Sequence, residues 1–120
     1  MNNPEKDKIE QIIKNRKMAH AFYSEKSDVY RKFCEMEQCT YKDGKLNRLQ
    51  KELIAIGISV VIDCESCMEW HIKQAIDSGA SEKEIIEAIE VGIEMGGGPA
   101  TVSARFAMNV INFYINKTSK

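Results

Sequence analysis

The sequence predicts an all-α fold, a single-domain bundle of about six helices. Apolar residues recur at spacings of three and four through most of the chain, which is the pattern of amphipathic helices. The breaks between these segments carry residues that begin or end helices, and no segment alternates as a half-buried strand does. A chain of 120 residues is expected to form one domain, so the predicted domain spans residues 1–120.

Helix-starting residues and a turn organise the first half of the chain. Pro4 suits the first position of a helix, and Ser27 has the side chain of an N-cap for a second helix. The dipeptide Asp43-Gly44 then indicates a turn. A third helix is predicted over residues 46–62, where apolar residues are dense.

The fourth and fifth helices are predicted from their caps. Asp63 is expected to be the N-cap of the fourth helix, which would place Cys64 at its first position. Gly79 is typical of a helix C-terminus and is expected to end it. Ser81 and Glu84 have the spacing of a capping box, which predicts the start of a fifth helix.

A glycine-rich break separates the fifth helix from the last one. Residues 96–99 read Gly-Gly-Gly-Pro, and Pro99 can open the sixth helix. The apolar faces of six helices are generous for a chain of this length, so we expect part of them to be buried between subunits.

The composition limits which binding partners and which cellular compartment we expect. Residues 53–62 form the longest apolar run, which is too short to span a bilayer and fits a fully buried helix. The net charge is −1, with 17 basic and 18 acidic residues, so no general field favours nucleic acid. We expect neither a membrane nor a nucleic-acid partner. Four cysteines behind a polar N-terminus favour a reducing compartment, and we expect a cytoplasmic protein.

Two cysteines, a histidine and a glutamate form the candidate site. Cys64, Cys67 and His71 stand at i, i+3 and i+7, which is one stripe on a helix. A short link at 62–63 makes the third and fourth helices antiparallel. A rise of about 1.5 Å per residue then places Glu52 about 15 Å and His71 about 12 Å from the corner. The sequence therefore predicts that Glu52 and His71 lie at similar heights.

These side chains can support thiol redox chemistry. A carboxylate can orient an imidazole, and the imidazole can take a proton from a thiol. The thiolate is the nucleophile, and a second thiol can convert the oxidised first one into a disulfide. A helix N-terminus favours the thiolate at both Cys64 and Cys67.

Other roles for the same residues stay open. Cys64, Cys67 and His71 could supply three zinc ligands, with Glu52 or another cysteine as the fourth. An iron–sulfur cluster is a further alternative. The cysteines could also be small buried hydrophobic residues, and His71 a hydrogen-bonded core histidine. Glu52 could be a solvated side chain or the ion-pair partner of a nearby basic residue.

The remaining cysteines, histidine and large apolar residues are expected to be structural. Cys34 and Cys39 lie on different faces of a predicted helix, so we expect core packing rather than a disulfide between them. His20 is expected at the surface near the end of the first helix. Met68 and Trp70 are expected to be packing or interface groups.

Four stretches carry a resemblance to a known family: LNRLQKELIA at 46–55, CESCMEWH at 64–71, ASEKEI at 80–85 and GGGP at 96–99. In this order they resemble the carboxymuconolactone decarboxylase superfamily and, within it, the alkylhydroperoxidase D-like branch. The glutamate twelve residues before the Cys-x-x-Cys and the histidine four residues after it make the pattern specific. The resemblance covers residues 20–115.

The resemblance implies a fold and an assembly. It implies an all-helical bundle with an N-terminal helix at residues 1–24 and a carboxymuconolactone decarboxylase-like core at residues 25–117. Members of the superfamily usually assemble into trimers or hexamers, so a homotrimer or homohexamer is expected.

The resemblance also implies roles for the site residues. Cys67 would be the peroxide-reactive thiol, and Cys64 its disulfide partner and proton donor. His71 and Glu52 would complete a proton relay. The best-known peroxidases of the branch carry a second histidine just before the second cysteine, where this chain has Ser66, which supplies no comparable base near neutral pH.

The expected function is a thiol-dependent oxidoreductase, of the peroxidase or disulfide reductase type. Its substrate would be a hydroperoxide or a disulfide, and its reductant an external dithiol such as a lipoyl or thioredoxin-like partner. No resident cofactor is expected. The alternative is a non-enzymatic oligomeric protein that uses the Cys/Cys/His cluster as a metal site or redox sensor.

Overall fold

The structure, a computed structural model, describes residues 3–116 and confirms the all-α prediction. Within this range the chain forms six helices and no strand. The helices are α1 (Pro4–Lys26), α2 (Asp28–Thr40), α3 (Arg48–Val61), α4 (Glu65–Asp77), α5 (Glu82–Gly96) and α6 (Gly98–Tyr114).

The chain divides into two compact units after Asn47. The first unit holds α1 and α2, and the second holds α3 to α6. All the predicted site residues belong to the second unit. The assignment of residues 1–120 to one domain, with an N-terminal helix at 1–24 and a core at 25–117, stays a prediction. Residues 1–2 and 117–120 lie outside the described residues.

Side-chain caps begin both helices of the first unit. Asn3 Oδ1 accepts a hydrogen bond from the backbone N–H of Lys6 at 3.1 Å, and Pro4 is the first helical residue. Ser27 Oγ accepts one from the backbone N–H of Tyr30 at 3.0 Å, so Ser27 caps α2 as predicted.

The first unit buries few of its apolar side chains. Ile9 is the buried residue of α1, and α2 has none. Cys34 is half-buried, whereas Cys39 is exposed, so the prediction of core packing is wrong for Cys39. Both thiols are free, in agreement with their positions on different helix faces. The large apolar side chains exposed on these helices are Met18, Phe22, Tyr23, Val29, Phe33 and Met36.

The second unit is organised around α3, which packs against α4, α5 and α6. Its buried face carries Ile56 and Val60. Burying a side chain of this kind contributes about 1.5–3 kcal/mol relative to exposure. This core holds α3 and α4 side by side, as the predicted site requires. The facing helices contribute Met68, Ile72, Ala75, Ile85, Ile89, Phe106, Ala107 and Val110.

The apolar run at residues 53–62 is not fully buried, so that prediction is wrong. Ile54, Ile58 and Ile62 are 51%, 54% and 61% exposed, although Ile56 and Val60 on the opposite face are inaccessible. The run is apolar on two faces of α3, and the neighbouring helices cover one of them. None of the helices described within residues 3–116 combines the length and the apolar character needed to cross a bilayer.

Two glycines allow α3 and α5 to approach closely. A Cβ added to Gly92 would lie 2.6 Å from the carbonyl oxygen of Gly57. A Cβ added to Gly57 would lie 3.1 Å from the carbonyl oxygen of Ala88. These neighbours are backbone atoms, which cannot rotate away as a side chain can. The crossing of α3 and α5 therefore requires residues without side chains.

The corner between α3 and α4 contains a left-handed residue. Asp63 has φ 56°. Its N–H donates to Val60 O at 3.3 Å, and the N–H of Cys64 donates to Ser59 O at 3.1 Å, which is the Schellman pattern of a helix C-terminus. An N-cap needs an extended backbone, so Asp63 does not cap α4 and that prediction is wrong.

Cys64 takes the N-cap position instead, one residue later than Asp63. Its backbone is extended, and its Sγ accepts a hydrogen bond from the N–H of Cys67 at 3.2 Å. Glu65 is therefore the first helical residue of α4. Gly79, with φ 102°, follows the end of the helix as predicted.

The predicted boundaries of α5 and α6 agree closely with the structure. Ser81 N donates to Glu84 Oε1 at 2.9 Å, and Glu84 N donates to Ser81 Oγ at 3.1 Å, which confirms the capping box. Gly97, with φ 73°, separates the two helices. Pro99 is the second residue of α6 rather than the first.

A serine of α6 holds the corner that precedes the first cysteine. Ser103 Oγ donates to Asp63 Oδ1 at 2.8 Å, and Ser103 is buried. A left-handed backbone costs a residue with a Cβ about 1–2 kcal/mol, which side-chain bonding can offset. Because Cys64 follows Asp63 directly, α6 helps to fix the position of the Cys64 sulfur.

The glycine crossing predicts that Gly92→Ala lowers the free energy of unfolding by about 1–3 kcal/mol, because the new methyl group overlaps the Gly57 carbonyl. Urea unfolding measures this change. Gly98→Ala is the matched control, since a Cβ there meets nothing within 4 Å and should not lower stability. Equal losses in the two variants would contradict the close approach.

The corner bond predicts that Ser103→Ala lowers the free energy of unfolding by about 1 kcal/mol and speeds hydrogen exchange at the Cys64 amide. Thr101→Ala is the control, because the Thr101 hydroxyl donates to Gly98 O within α6. Exchange at Cys64 that is unchanged in Ser103→Ala would show that the serine does not hold the corner.

Candidate active site

The structure brings Glu52 and His71 together across the α3–α4 interface. Glu52 Oε1 and His71 Nδ1 are 2.8 Å apart. The Glu52 side chain is 1% exposed and the His71 side chain 14%. The antiparallel arrangement and the common height predicted from the sequence are therefore confirmed.

The two cysteines of α4 are joined by a disulfide, with their Cα atoms 5.2 Å apart. Both residues are half-buried. The hydrogen bond from the Cys67 N–H to the Cys64 sulfur places this sulfur at the helix N-terminus. A thiolate formed there on reduction is stabilised by the N–H groups and the helix dipole. Cys67 lies one helical turn before His71 and on the same face.

The contact with Glu52 sets the chemical form of the imidazole. A carboxylate oxygen accepts, so Nδ1 of His71 donates to Glu52, and Nε2 is the nitrogen that can accept a further proton. The carboxylate also fixes the orientation of the ring. An imidazole held in one orientation, with an accepting nitrogen, is the form that a general base requires.

Arg48 places a guanidinium cation beside Glu52. Its Nε lies 3.4 Å from Oε2 of Glu52, the oxygen opposite the one that contacts His71. Its Nη2 donates to Gln74 Oε1 on α4 at 2.7 Å. The ion pair considered for Glu52 from the sequence thus exists together with the histidine contact.

A buried carboxylate near the cysteines was missed by the sequence analysis. Glu69 is inaccessible and accepts a hydrogen bond from the Tyr114 hydroxyl, which ties the end of α6 to α4. The sequence spacing indicates its burial, because Glu69 stands at i with Ile72 at i+3 and Ile76 at i+7 on the apolar side of the helix. A carboxylate in such a stripe requires a hydrogen-bond donor.

The other residues singled out in the sequence have different surroundings. His20 is exposed as predicted, and its Nδ1 lies 2.8 Å from the Tyr30 hydroxyl. Burial, as the larger cause, and the nearby Cys34, as the smaller one, raise the pKa of the Tyr30 hydroxyl above its ordinary value. Met68 is fully buried, which confirms its packing role, and Trp70 is half-buried.

The described part of the chain, residues 3–116, contains no group of three His, Cys, Asp or Glu side chains arranged to hold a metal ion. In this oxidised state both sulfurs are engaged in the disulfide. A metal site would require them as thiolates.

Sequence comparison identifies bacterial relatives. The chain is similar to the uncharacterized protein 4 of the cox locus of Paracoccus denitrificans, at 36% identity over 80 residues, or 67% of this chain and 72% of the relative. It is also similar to an uncharacterized protein of Cupriavidus necator, at 37% identity over 67 residues, or 56% of this chain and 59% of that protein.

Solved structures share the fold. An apo carboxymuconolactone decarboxylase family protein from Legionella pneumophila is 29% identical, with a TM-score of 0.83 over 90% of this chain and 97% of that one. A family protein from Thermotoga maritima, for which a part in an antioxidative response has been suggested, is 24% identical, with a TM-score of 0.82 over 90% and 92% of the two chains.

The family match covers the later part of the first unit and most of the second. It covers residues 27–109, from the cap of α2 to the last turns of α6, and includes Glu52, both cysteines of α4 and His71. The chain belongs to the carboxymuconolactone decarboxylase family.

Proposed function

We propose that the protein is a thiol-dependent oxidoreductase that cycles Cys64 and Cys67 between dithiol and disulfide. The observation that carries the proposal is the Glu52–His71 contact of 2.8 Å beside the Cys-x-x-Cys disulfide of α4. An oriented imidazole one turn from a dithiol is what thiol activation requires. The antioxidative role suggested for the Thermotoga maritima relative supports a hydroperoxide as the oxidant.

The oxidation begins at Cys67, the cysteine one turn from His71. His71 Nε2 takes the thiol proton, and the thiolate attacks the terminal oxygen of the hydroperoxide. The S–O bond forms as the O–O bond breaks. The departing alkoxide takes the proton from the imidazolium and leaves as an alcohol. Cys67 is then a sulfenic acid.

Cys64 converts the sulfenic acid into the disulfide seen in the structure. Its sulfur attacks the sulfur of Cys67, the S–S bond forms, and the S–O bond breaks. The leaving hydroxide combines with the proton of Cys64 and departs as water. The dithiol has then lost two electrons and the peroxide has gained them. A Cα separation of 5.2 Å suits this bond.

An external dithiol closes the cycle. One of its thiolates attacks the Cys67 sulfur, and Cys64 leaves as a thiolate stabilised by the Cys67 N–H. The second thiol of the reductant attacks the mixed disulfide, releases Cys67 and becomes oxidised. A lipoyl or thioredoxin-like partner has the required pair of thiols. The same exchange in reverse would reduce a disulfide substrate.

Because residue 66 is a serine rather than a histidine, a single imidazole must carry out both proton transfers of the oxidation. His71 is the histidine of the helix that carries the Cys-x-x-Cys, and position 66 between the cysteines holds a serine. The hydroxyl of Ser66 stays protonated near neutral pH and cannot act as a second base. His71 therefore serves both as the base for Cys67 and as the acid for the leaving alkoxide.

We propose that the protein is a homotrimer or homohexamer whose subunit contact covers an apolar face of the second unit. The exposed side chains of α3 alternate with the core side chains and belong to its second apolar face. Large apolar side chains exposed in such numbers are often covered by another subunit. The apolar face comprises Ile54, Ile58, Val61, Ile62, Val91 and Met95.

Cys67→Ser and Cys64→Ser should each lower dithiol-dependent hydroperoxide consumption by at least about 100-fold, because neither can form the intramolecular disulfide. Peroxide loss with dihydrolipoamide as the supplied reductant measures this. Cys34→Ser and Cys39→Ser are the matched controls and should keep full activity. Full activity in both α4 variants would make the proposal wrong.

Thiol counting separates this function from its alternative. One equivalent of hydroperoxide should remove two thiols from the reduced protein, and mass spectrometry should locate the new disulfide at Cys64 and Cys67. Glu52→Gln should slow this oxidation by about 10–100-fold, because the ring of His71 loses its anionic partner. A stoichiometric metal without loss of thiols would instead support a metal-binding protein.

The apolar face predicts that Ile58→Glu reduces the assembly size, because it places a charge in the proposed subunit contact. Sedimentation velocity should show trimers or hexamers for the unchanged protein and smaller species for the variant. Lys83→Glu, at an exposed position of α5, should leave the assembly intact. A monomeric unchanged protein would refute the proposal.

A further inference from the structure

Arg48 is the charged residue at the site for which the thiol chemistry supplies no role. It contacts Oε2 of Glu52 at 3.4 Å, while His71 contacts Oε1 at 2.8 Å. Its side chain is 47% exposed, so it lies on the solvent side of the buried pair. The bond of 2.7 Å to Gln74 anchors the guanidinium to α4 and holds it in this place.

A carboxylate as deeply buried as Glu52 stays ionised only with a positive charge nearby. Two neighbours can supply that charge. The guanidinium of Arg48 is charged at every relevant pH, whereas the imidazole of His71 is charged only after it takes a proton. If Arg48 provides the charge, His71 can stay neutral and keep Nε2 ready for the proton of Cys67.

The other charged residues near Glu52 and His71 lie on α3 and α4. Lys51 adjoins Glu52 in sequence and therefore points about 100° around α3. On α4, Glu69 is bonded to Tyr114, and Lys73 is paired with Asp77. Among residues 48–116, the buried side chains of α5 and α6 carry no charge: Ile85, Ile89, Ala100, Ser103, Phe106, Ala107, Val110 and Ile111.

We propose that Arg48 is a positioning residue that neutralises Glu52 and thereby keeps His71 available as an uncharged base. The purpose of this role rests on the proposed function, since an uncharged His71 matters most for activating Cys67. Arg48 acts through Glu52 and does not touch the reacting atoms. Without it, more of the neutralisation of Glu52 falls to His71, so the imidazolium gains stability relative to the uncharged ring.

The test replaces Arg48 by an uncharged side chain of similar polarity. In the reduced Arg48→Gln protein, the His71 ring signals in NMR should titrate about one pH unit higher than in the unchanged protein. The pH profile of single-turnover oxidation by a hydroperoxide should move in the same direction.

Two further variants separate the effect of the Arg48 charge on His71 from the effect of the side-chain shape. Arg48→Lys keeps the positive charge, so His71 should titrate as in the unchanged protein. Arg105→Gln removes an exposed arginine of α6 and matches the loss of one charge. Its effect on His71 should be below about 0.2 pH unit at physiological ionic strength, because solvent and salt screen exposed charges.

Two results would overturn the role of Arg48. One is a folded Arg48→Gln protein whose His71 titrates as before. The other is an upward shift in Arg48→Lys, which keeps the proposal falsifiable if Arg48→Gln does not fold. The proposed function fails separately, if the unchanged protein loses no thiols to a hydroperoxide or a disulfide. The His71 titration needs no turnover and still decides the role of Arg48 in that case.

Discussion

The burial of one carboxylate, that of Glu52, is the constraint on which the site depends. An ionised side chain removed from water must recover its solvation from hydrogen bonds and opposite charges. Glu52 does so with Arg48 from its own helix and His71 from the next one. These contacts fix how α3 and α4 lie along each other, since a slide of one turn would separate the carboxylate from the imidazole. The same contacts orient the ring that the dithiol needs.

The corner between these helices sets the position of the sulfurs. Asp63 ends α3 in a left-handed conformation, and Cys64 then begins α4 as its N-cap. The Cys64 sulfur thus takes the place that a serine or aspartate oxygen usually occupies and accepts the N–H of Cys67. Ser103 of α6 bonds the Asp63 side chain, so a third helix supports this arrangement.

Features that depend on nearby residues could be predicted from the sequence. The cap at Ser27 and the capping box of Ser81 with Glu84 involve residues three positions apart. The Glu52–His71 contact spans 19 positions but crosses a single corner, so helix geometry predicted it. The conformation of Asp63 could not be predicted, because aspartate suits an N-cap and its bond to Ser103 joins residues 40 positions apart. Likewise, nothing local paired Glu69 with Tyr114, which is 45 positions away.

The arrangement of α3 and α4 separates two requirements of thiol exchange. An external dithiol must reach a sulfur in line with the bond that breaks, and the half-buried cysteines at the start of α4 meet this need. The proposed proton relay needs fixed geometry and little competing water, and Glu52 and His71 lie on the covered part of the same interface. Cys67 is one turn from His71 and bonded to Cys64, so it contributes both to the accessible dithiol and to the covered pair of Glu52 and His71. Under the proposed function, this position lets one cysteine meet the peroxide, the base and the reductant in turn.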